Sequence, residues 1–145
     1  FIGAAVVFLF FRKFRQGGAA MCGAILLSLL VGNLLLKNLV ARDRPCWIDP
    51  DFLQLLVSVP KDFSFPSAHT MISVSAAAAL FHYSKALGIP ALVIAALVGF
   101  SRLYLFVHFP TDVLVGAVIG VLLAVVSCIV TDKIAARIKS KKAVN

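Results

Sequence analysis

The sequence of 145 residues contains no glutamate, and all six of its acidic residues are aspartates. Charged residues make up 14% of the chain, against roughly 25% in ordinary soluble proteins, whereas 61% of its residues are hydrophobic. This shortage of charge excludes a disordered protein, a coiled coil and a charged soluble enzyme. We therefore expect an integral membrane protein.

Cysteines are also few, and the basic residues are dispersed. The three cysteines, Cys22, Cys46 and Cys128, are too few for a disulfide framework. The formal net charge is +8, but the charged residues lie between apolar runs and form no face that could follow a phosphate backbone. We expect no nucleic-acid partner.

Several apolar runs approach the roughly 20 residues that a helix needs to cross a bilayer. They comprise one partial span and four full spans, at residues 1–11, 19–36, 70–84, 86–107 and 113–131. The fold predicted from them is all-α, a polytopic transmembrane helical bundle forming a single domain over residues 1–145. About five spans of an expected six are present, and we expect further N-terminal residues to precede the partial span.

Small residues predict how the spans pack. Gly116 and Gly120 form a GxxxG step in the last span, and serines and alanines fill the span at 70–84. Helices in lipid associate through such close approach. The step favours tight packing inside the bundle, with dimerisation as the alternative.

The distribution of charge predicts the orientation of the bundle. Alternating spans place nine basic residues and one aspartate, Asp132, on one side of the membrane. The other side receives five basic and five acidic residues, so it is neutral. By the positive-inside rule the basic side is cytoplasmic, and the long connection at 41–65 faces outward.

Ionisable residues near the membrane are costly and are functional candidates by default. Here they come from three separate connections that all reach the outward side. They are Lys37, Arg44, His69, Arg102, His108 and Asp112. This convergence is the strongest physical signal in the sequence.

Each local pattern has a plain structural alternative. Lys37 and Arg44 are seven residues apart and would share a helix face until Pro45 ends the helix, but lysines at such positions also snorkel to the interface. Ser67 fits an N-cap, where a helix start can bind an anion or be only a cap. His108 and Asp112 are four residues apart, which fits an oriented imidazole, a structural hydrogen bond or half a metal site.

Taken together, the three motifs resemble the signature of the type-2 phosphatidic acid phosphatase family. The strings are Lys37-x6-Arg44-Pro45, Pro66-Ser67-Ala68-His69 and Ser101-Arg102-x5-His108-x3-Asp112. Their order and spacing match the family over about half of the chain. The resemblance implies a membrane lipid phosphatase, with phosphatidic acid, phosphatidylglycerophosphate or polyprenyl diphosphate as substrate.

The resemblance also implies a role for each residue. His108 is the nucleophile that forms a phosphohistidine, His69 is the general acid and base, and Asp112 orients His108. The phosphate-binding residues are Lys37, Arg44, Ser67, Ala68 and Arg102. We expect no cofactor and no metal, although Asp43, Asp49, Asp51 and Asp62 could be taken for a magnesium site.

One position departs from the family pattern, because Ala68 stands where the second motif usually has glycine. We expect weaker binding or altered geometry there. Two alternatives remain open, a phosphotransferase that uses the same histidine and a catalytically silent lipid-phosphate-binding protein. An anion transporter would need polar groups through the midplane, and the spans have none beyond serines and Asn33. We expect the inner membrane of a bacterium, with the site on the periplasmic or extracellular side.

Overall fold

The computed structural model describes residues 1–49 and 58–144, and every regular element in that part of the chain is helical. The elements are α1 (Ile2–Phe10), α2 (Arg15–Ser28), a π-helical segment (Leu29–Leu36), α3 (Lys37–Val40), α4 (Pro45–Ile48), α5 (Ala68–Tyr83), α6 (Lys85–Tyr104) and α7 (Pro110–Val144). The prediction of an all-α fold is confirmed for these residues.

Helix α5 lies at the centre of the bundle and packs against α2, α6 and α7, while α1 packs on α2. Its buried side chains are mostly small, including Ser73, Ser75 and four alanines. Small side chains let several helices approach one helix closely, which lipid alone would not drive. The centre of the molecule is therefore built from backbone contact more than from large side chains.

The GxxxG step of α7 lies against the first turns of α5. A Cβ at Gly116 would come within 2.9 Å of the Ser67 carbonyl oxygen, and one at Gly120 within 2.7 Å of the Met71 carbonyl oxygen. Real Cβ atoms do not approach backbone so closely without a shift of the helices. The step thus serves packing inside the bundle, and it holds the start of α5 beside the start of α7.

Three helical stretches are long and apolar enough to cross a membrane: Arg15–Ile48, Lys85–Tyr104 and Pro110–Lys141. Their outward faces carry exposed apolar side chains, such as Leu97 and Phe100 on α6 and Leu114 and Val118 on α7. Such faces need lipid around them. The chain is an integral membrane protein. Helix α5 has 16 residues, and the predicted count of about five spans stays a prediction.

The helix carrying Lys37 ends earlier than expected. We expected Pro45 to stop it, but the helix ends at Val40 because Ala41 adopts a left-handed conformation with φ 47°. Pro45 instead opens α4 at its first position, where a missing N–H costs nothing. Lys37 and Arg44 therefore belong to different elements and meet through the turn between them.

Candidate active site

A cavity of about 370 Å³ opens at the end of the bundle where α5 and α7 begin. Six of the residues predicted for the site line it. They are Lys37, Arg44, Ala68, His69, Arg102 and His108. The structure thus brings residues from all three motifs to one space. Asp112 lies behind His108, and the Ser67 side chain is buried beside the helix start.

The two cations of the first motif are buried and share one carboxylate. The side chains of Lys37 and Arg44 are 8% and 4% exposed, and both bind Asp62 from the loop before α5. Burial acts to raise the pKa of the Asp62 carboxyl, but the hydrogen bond and charge of Lys37, together with Arg44, outweigh it and hold that pKa below its usual value. Asp62 is therefore ionised at neutral pH.

Arg44 uses all five of its N–H donors. Nε donates to the Asp62 backbone oxygen at 2.6 Å. One terminal nitrogen donates to the Asp62 carboxylate at 2.8 Å and to the Phe63 backbone oxygen at 3.3 Å. The other nitrogen donates to the Val107 oxygen at 2.8 Å and to His108 Nε2 at 3.3 Å. A phosphate can gain a donor from Arg44 by displacing Asp62.

The tautomer of His108 follows from these contacts. Arginine has donors only, so His108 Nε2 beside Arg44 must be an acceptor and the neutral ring carries its proton on Nδ1. Burial lowers the pKa of His108, the Asp112 carboxylate opposes this, and the charge of Arg44 lowers it further. The net pKa lies below the ordinary value. The ring is therefore neutral at pH 7, with a lone pair toward the cavity.

Asp112 is fully buried at the start of α7 and is held from several sides. Arg42 donates to Oδ1 at 2.9 Å, while the backbone N–H of Phe109 donates to Oδ2 at 2.9 Å and the Ser64 hydroxyl donates to the same oxygen. His108 Nδ1 is 3.6 Å from Oδ2, which is within ion-pair range and beyond hydrogen-bond length.

Ser67 is the N-cap residue of α5, as its position predicted, but its side chain makes no capping hydrogen bond. The residue is fully buried against α7, where its backbone N–H donates to the Asp112 carbonyl oxygen. Its Oγ pairs instead with Thr70 Oγ1 at 2.9 Å. Ala68 occupies the first helical position, so its φ is negative and the glycine of the family motif is not required by the backbone.

Arg102 lies near the end of α6 and lines the same cavity as Lys37 and Arg44. Its Nε and one terminal nitrogen each donate to Ser101 Oγ at 3.1 Å. This contact ties the guanidinium to the neighbouring residue of its own helix, beside the cavity.

Three residues at the site were missed by the sequence reasoning: Arg42, Asp62 and Ser64. Arg42 stacks 4.0 Å from the Phe109 ring while it binds Asp112, and its position among the outward basic residues does not predict this role. Asp62 is one of four loop aspartates, and the sequence does not distinguish it from the other three. Ser64 is a serine between two phenylalanines, and no local pattern distinguishes it from a loop residue.

The three loop aspartates that the structure describes do not come together as a group. Asp62 is bound by Lys37 and Arg44, Asp43 and Asp49 are exposed, and Asp51 lies outside the described residues. Within the described part of the chain, no three metal-binding side chains cluster. The independence from metal stays a prediction.

Comparison with known proteins gives a family and several relatives. The model of the PAP2 superfamily matches residues 17–135. An undecaprenyl-diphosphatase from Sulfolobus acidocaldarius is 31% identical over 121 residues, which are 82% of this chain and 57% of that protein. Phosphatidylglycerophosphatase B of Bacillus subtilis is 37% identical over 136 residues, with 84% of this chain and 60% of that protein covered.

A solved structure agrees with these relatives. The crystal structure of Aquifex aeolicus LpxE matches with a TM-score of 0.73 and 31% identity, over 86% of this chain and 73% of that chain. The chain spans 57 to 60% of the length of the two curated relatives. The family resemblance carried by the three motifs is confirmed, and this chain belongs to the PAP2 superfamily.

Proposed function

We propose that the chain hydrolyses a lipid phosphate through a phosphohistidine on His108. The observation that carries the proposal is a single cavity lined by two imidazoles and three cations from all three motifs: Lys37 and Arg44 from the first, His69 from the second, and Arg102 and His108 from the third. Relatives named as phosphatases of three different lipid phosphates support the same class of reaction. Phosphoryl transfer asks mainly for positioning and charge stabilisation, and this cavity offers both.

In the first step the phosphate enters among Lys37, Arg44 and Arg102 and displaces the Asp62 carboxylate. The planar fork of an arginine suits the non-bridging oxygens. The N–H groups at the start of α5, next to Ala68, precede the first helical hydrogen bond and add donors.

In the second step His108 Nε2 attacks phosphorus in line. The N–P bond forms as the bond from phosphorus to the leaving oxygen breaks, and His69 gives its proton to that oxygen. Water then attacks phosphorus, the N–P bond breaks, and His69 takes a proton from the water. The products are the dephosphorylated lipid and inorganic phosphate.

The substrate class follows from the position of the cavity. It opens at the membrane surface of an apolar bundle, so a phosphate can enter from water while its acyl or prenyl tail stays in the bilayer. Polyprenyl diphosphate, phosphatidylglycerophosphate and phosphatidic acid are the candidates, since the charged residues grip only the phosphate. The partners are therefore the lipid substrate and the bilayer.

The proposed location is a bacterial inner membrane with the cavity facing the periplasm or the cell exterior. The basic residues beyond α5 and along the end of α7 support this orientation through the positive-inside rule. Lipid phosphates presented in the outer leaflet are then the accessible substrates.

The test is release of inorganic phosphate from a panel of lipid phosphates and diphosphates by purified protein, with and without EDTA. We expect phosphate release that survives EDTA and is abolished in His108→Ala. Collapse in EDTA with rescue by magnesium would overturn the metal-free scheme, and near-normal turnover by His108→Ala would overturn the nucleophile. Transfer of phosphate to a lipid or sugar acceptor without release would point to the phosphotransferase, and no turnover of any substrate to the silent binding protein.

A further inference from the structure

The buried hydroxyl of Ser64 lies between His108 and Asp112. The direct distance from His108 Nδ1 to Asp112 Oδ2 is 3.6 Å, too long for a hydrogen bond. Ser64 Oγ is 3.4 Å from His108 Nδ1 and donates to Asp112 Oδ2. The serine therefore adds a hydrogen-bonded path between the carboxylate and the ring beside their direct ion pair.

The direction of each hydrogen bond in this bridge is determined. The ring nitrogen that faces Arg44, Nε2, is the acceptor, so the other nitrogen, Nδ1, carries the proton. The single hydroxyl proton of Ser64 goes to Asp112, because an ionised carboxylate only accepts. A lone pair of Ser64 Oγ is then left to accept Nδ1–H from His108.

The bridge is fixed in place by its surroundings. Ser64 is fully buried, and its backbone N–H donates to the Arg42 carbonyl oxygen at 2.8 Å. The Arg42 guanidinium in turn binds Asp112 Oδ1 at 2.9 Å and Thr111 Oγ1 at 2.7 Å. The connection at 41–65 therefore supplies both the serine and the cation that hold the carboxylate.

We propose that Ser64 is a positioning residue that links Asp112 to His108 and keeps the Nε2 lone pair of His108 directed at phosphorus. This inference rests on the proposed function. When the N–P bond forms, the ring becomes cationic, and the hydrogen bonds through Ser64 to the Asp112 carboxylate stabilise that cation. Ser64 forms and breaks no covalent bond in the reaction.

Several described charged groups act on His108, which makes the ring a usable probe. Arg44 and Lys37 lower the pKa of His108, Asp112 raises it, and His69 lines the same cavity. Replacing Ser64 leaves all four in the chain, so a change at His108 reports the bridge itself.

The experiment is ¹⁵N NMR of ring-labelled histidine in detergent micelles. The chain has three histidines, so substitution of His69 and His82 assigns the His108 signals. In wild type we expect the tautomer protonated on Nδ1. In Ser64→Ala we expect a mixture of tautomers and a downward shift of the His108 pKa by about one pH unit, because the protonated ring loses the hydrogen bond that Ser64 Oγ accepts from Nδ1–H. Ser28→Ala is the matched control, since Ser28 is an equally buried serine in α2 that bonds Ala24 and Ser75.

Two results would overturn the bridge. One is a wild-type His108 protonated on Nε2, which needs no variant and stands even if Ser64→Ala does not fold. The other is a folded Ser64→Ala protein with the wild-type tautomer and His108 pKa. Ser64→Thr keeps the hydroxyl, and a return of the Nδ1–H tautomer in it supports the bridge.

Kinetics complete the test for the proposed reaction. We expect kcat to fall about 100-fold in Ser64→Ala with little change in KM, as misplacement of a reacting group does. In an Asp112→Asn background the same change should cost much less, because the two residues act through one path. If wild type releases no phosphate but the tautomer results hold, the proposed function fails while the bridge is supported.

Discussion

The carboxylate of Asp62 lies beside Lys37 and Arg44, where the proposed mechanism puts substrate oxygens. Its pKa is held below the usual value, so it stays charged at the pH at which phosphate binds. Its side chain is 57% exposed, whereas the two cations are buried. The loop thus supplies a displaceable anion that keeps the buried cations paired when no substrate is present.

Asp62→Asn should strengthen binding of inorganic phosphate. The expected gain is up to about 5-fold, because a half-exposed ion pair is worth at most about 1 kcal/mol. Inhibition of turnover by inorganic phosphate measures this directly. Asp49→Asn is the control, since Asp49 is exposed and lies outside the cavity. Equal or weaker inhibition in Asp62→Asn would mean that the carboxylate does not compete.

The protonation state of His108 predicts the pH profile. Burial and Arg44 lower the pKa of His108 below its ordinary 6.5. The ring is therefore neutral and able to attack above pH 6.5, and it becomes protonated and inactive as the pH falls through the lowered pKa. We expect a bell-shaped dependence of kcat/KM on pH, with the acid limb below about pH 6.5 and the basic limb set by loss of the His69 proton. Burial and the charge of Arg102 lower the pKa of His69 as well, so the optimum lies on the acidic side of neutral. A monotonic profile, or an acid limb above pH 7, would contradict the assignment of the two rings.

At the scale of elements, the site depends on how closely α7 approaches α5. The Ser67 N–H donates to the Asp112 carbonyl oxygen at 3.1 Å, and Gly116 lies against the Ser67 carbonyl oxygen one turn further on. These contacts set the distance between the helix that starts at Ala68 and the helix that starts just after His108. The two imidazoles face one cavity because both helices begin at the same level.

Gly116→Ala should therefore reduce both stability and activity. The new Cβ would meet backbone at 2.9 Å, and overpacking of this kind costs about 1–3 kcal/mol. Thermal unfolding in detergent and phosphate release are the measurements. Gly3→Ala is the control, because nothing lies within 4 Å of a Cβ at Gly3. A Gly116→Ala protein that changes only its oligomeric state would instead assign the step to dimerisation.

At the scale of the whole molecule, charge divides the two ends of the bundle. The cavity end carries Lys37, Arg44 and Arg102 with aspartates nearby, while the far end of α7 is strongly basic beyond Asp132. There Asp132 pairs with His82 and accepts a hydrogen bond from Tyr83. The end with the uncompensated positive charge is the one expected in the cytoplasm.

Cysteine labelling tests this orientation. In intact cells, a membrane-impermeant maleimide should label Lys61→Cys, in the loop beside the cavity, and should not label Lys139→Cys near the end of α7. Both lysines are exposed, so accessibility alone does not distinguish them. Wild type, whose three cysteines are free, gives the background. Labelling of position 139 with protection of position 61 would place the cavity inside the cell.

Much of the site could be predicted because its residues are chemically out of place. Lys37, His69 and Arg102 are ionisable groups at the ends of apolar runs, and such groups are costly unless they have a use. Spans that alternate in direction must bring every second connection to one surface. The all-helical class follows for the same reason, since backbone in lipid must satisfy its own hydrogen bonds.

Other contacts at the site could not be predicted, because they join residues that are far apart in the sequence and come together only on folding. Ser64 and Asp62 are ordinary loop residues until folding puts one against Asp112 and the other against Lys37. The end of the helix at Ala41 was missed because alanine has no preference for a left-handed conformation, and only the surrounding contacts hold it there.

Hydrophobic length and costly charge are properties of composition and residue order, so they were enough to predict that this chain enters a membrane with its motif residues toward one side. Which of those residues touch depends on the folded chain. Hydrogen bonds act over about 3 Å, so the bridge from Asp112 through Ser64 to His108 and the pairing of Asp62 with Arg44 exist through the packing of α5 on α7 and the path of the loop before α5.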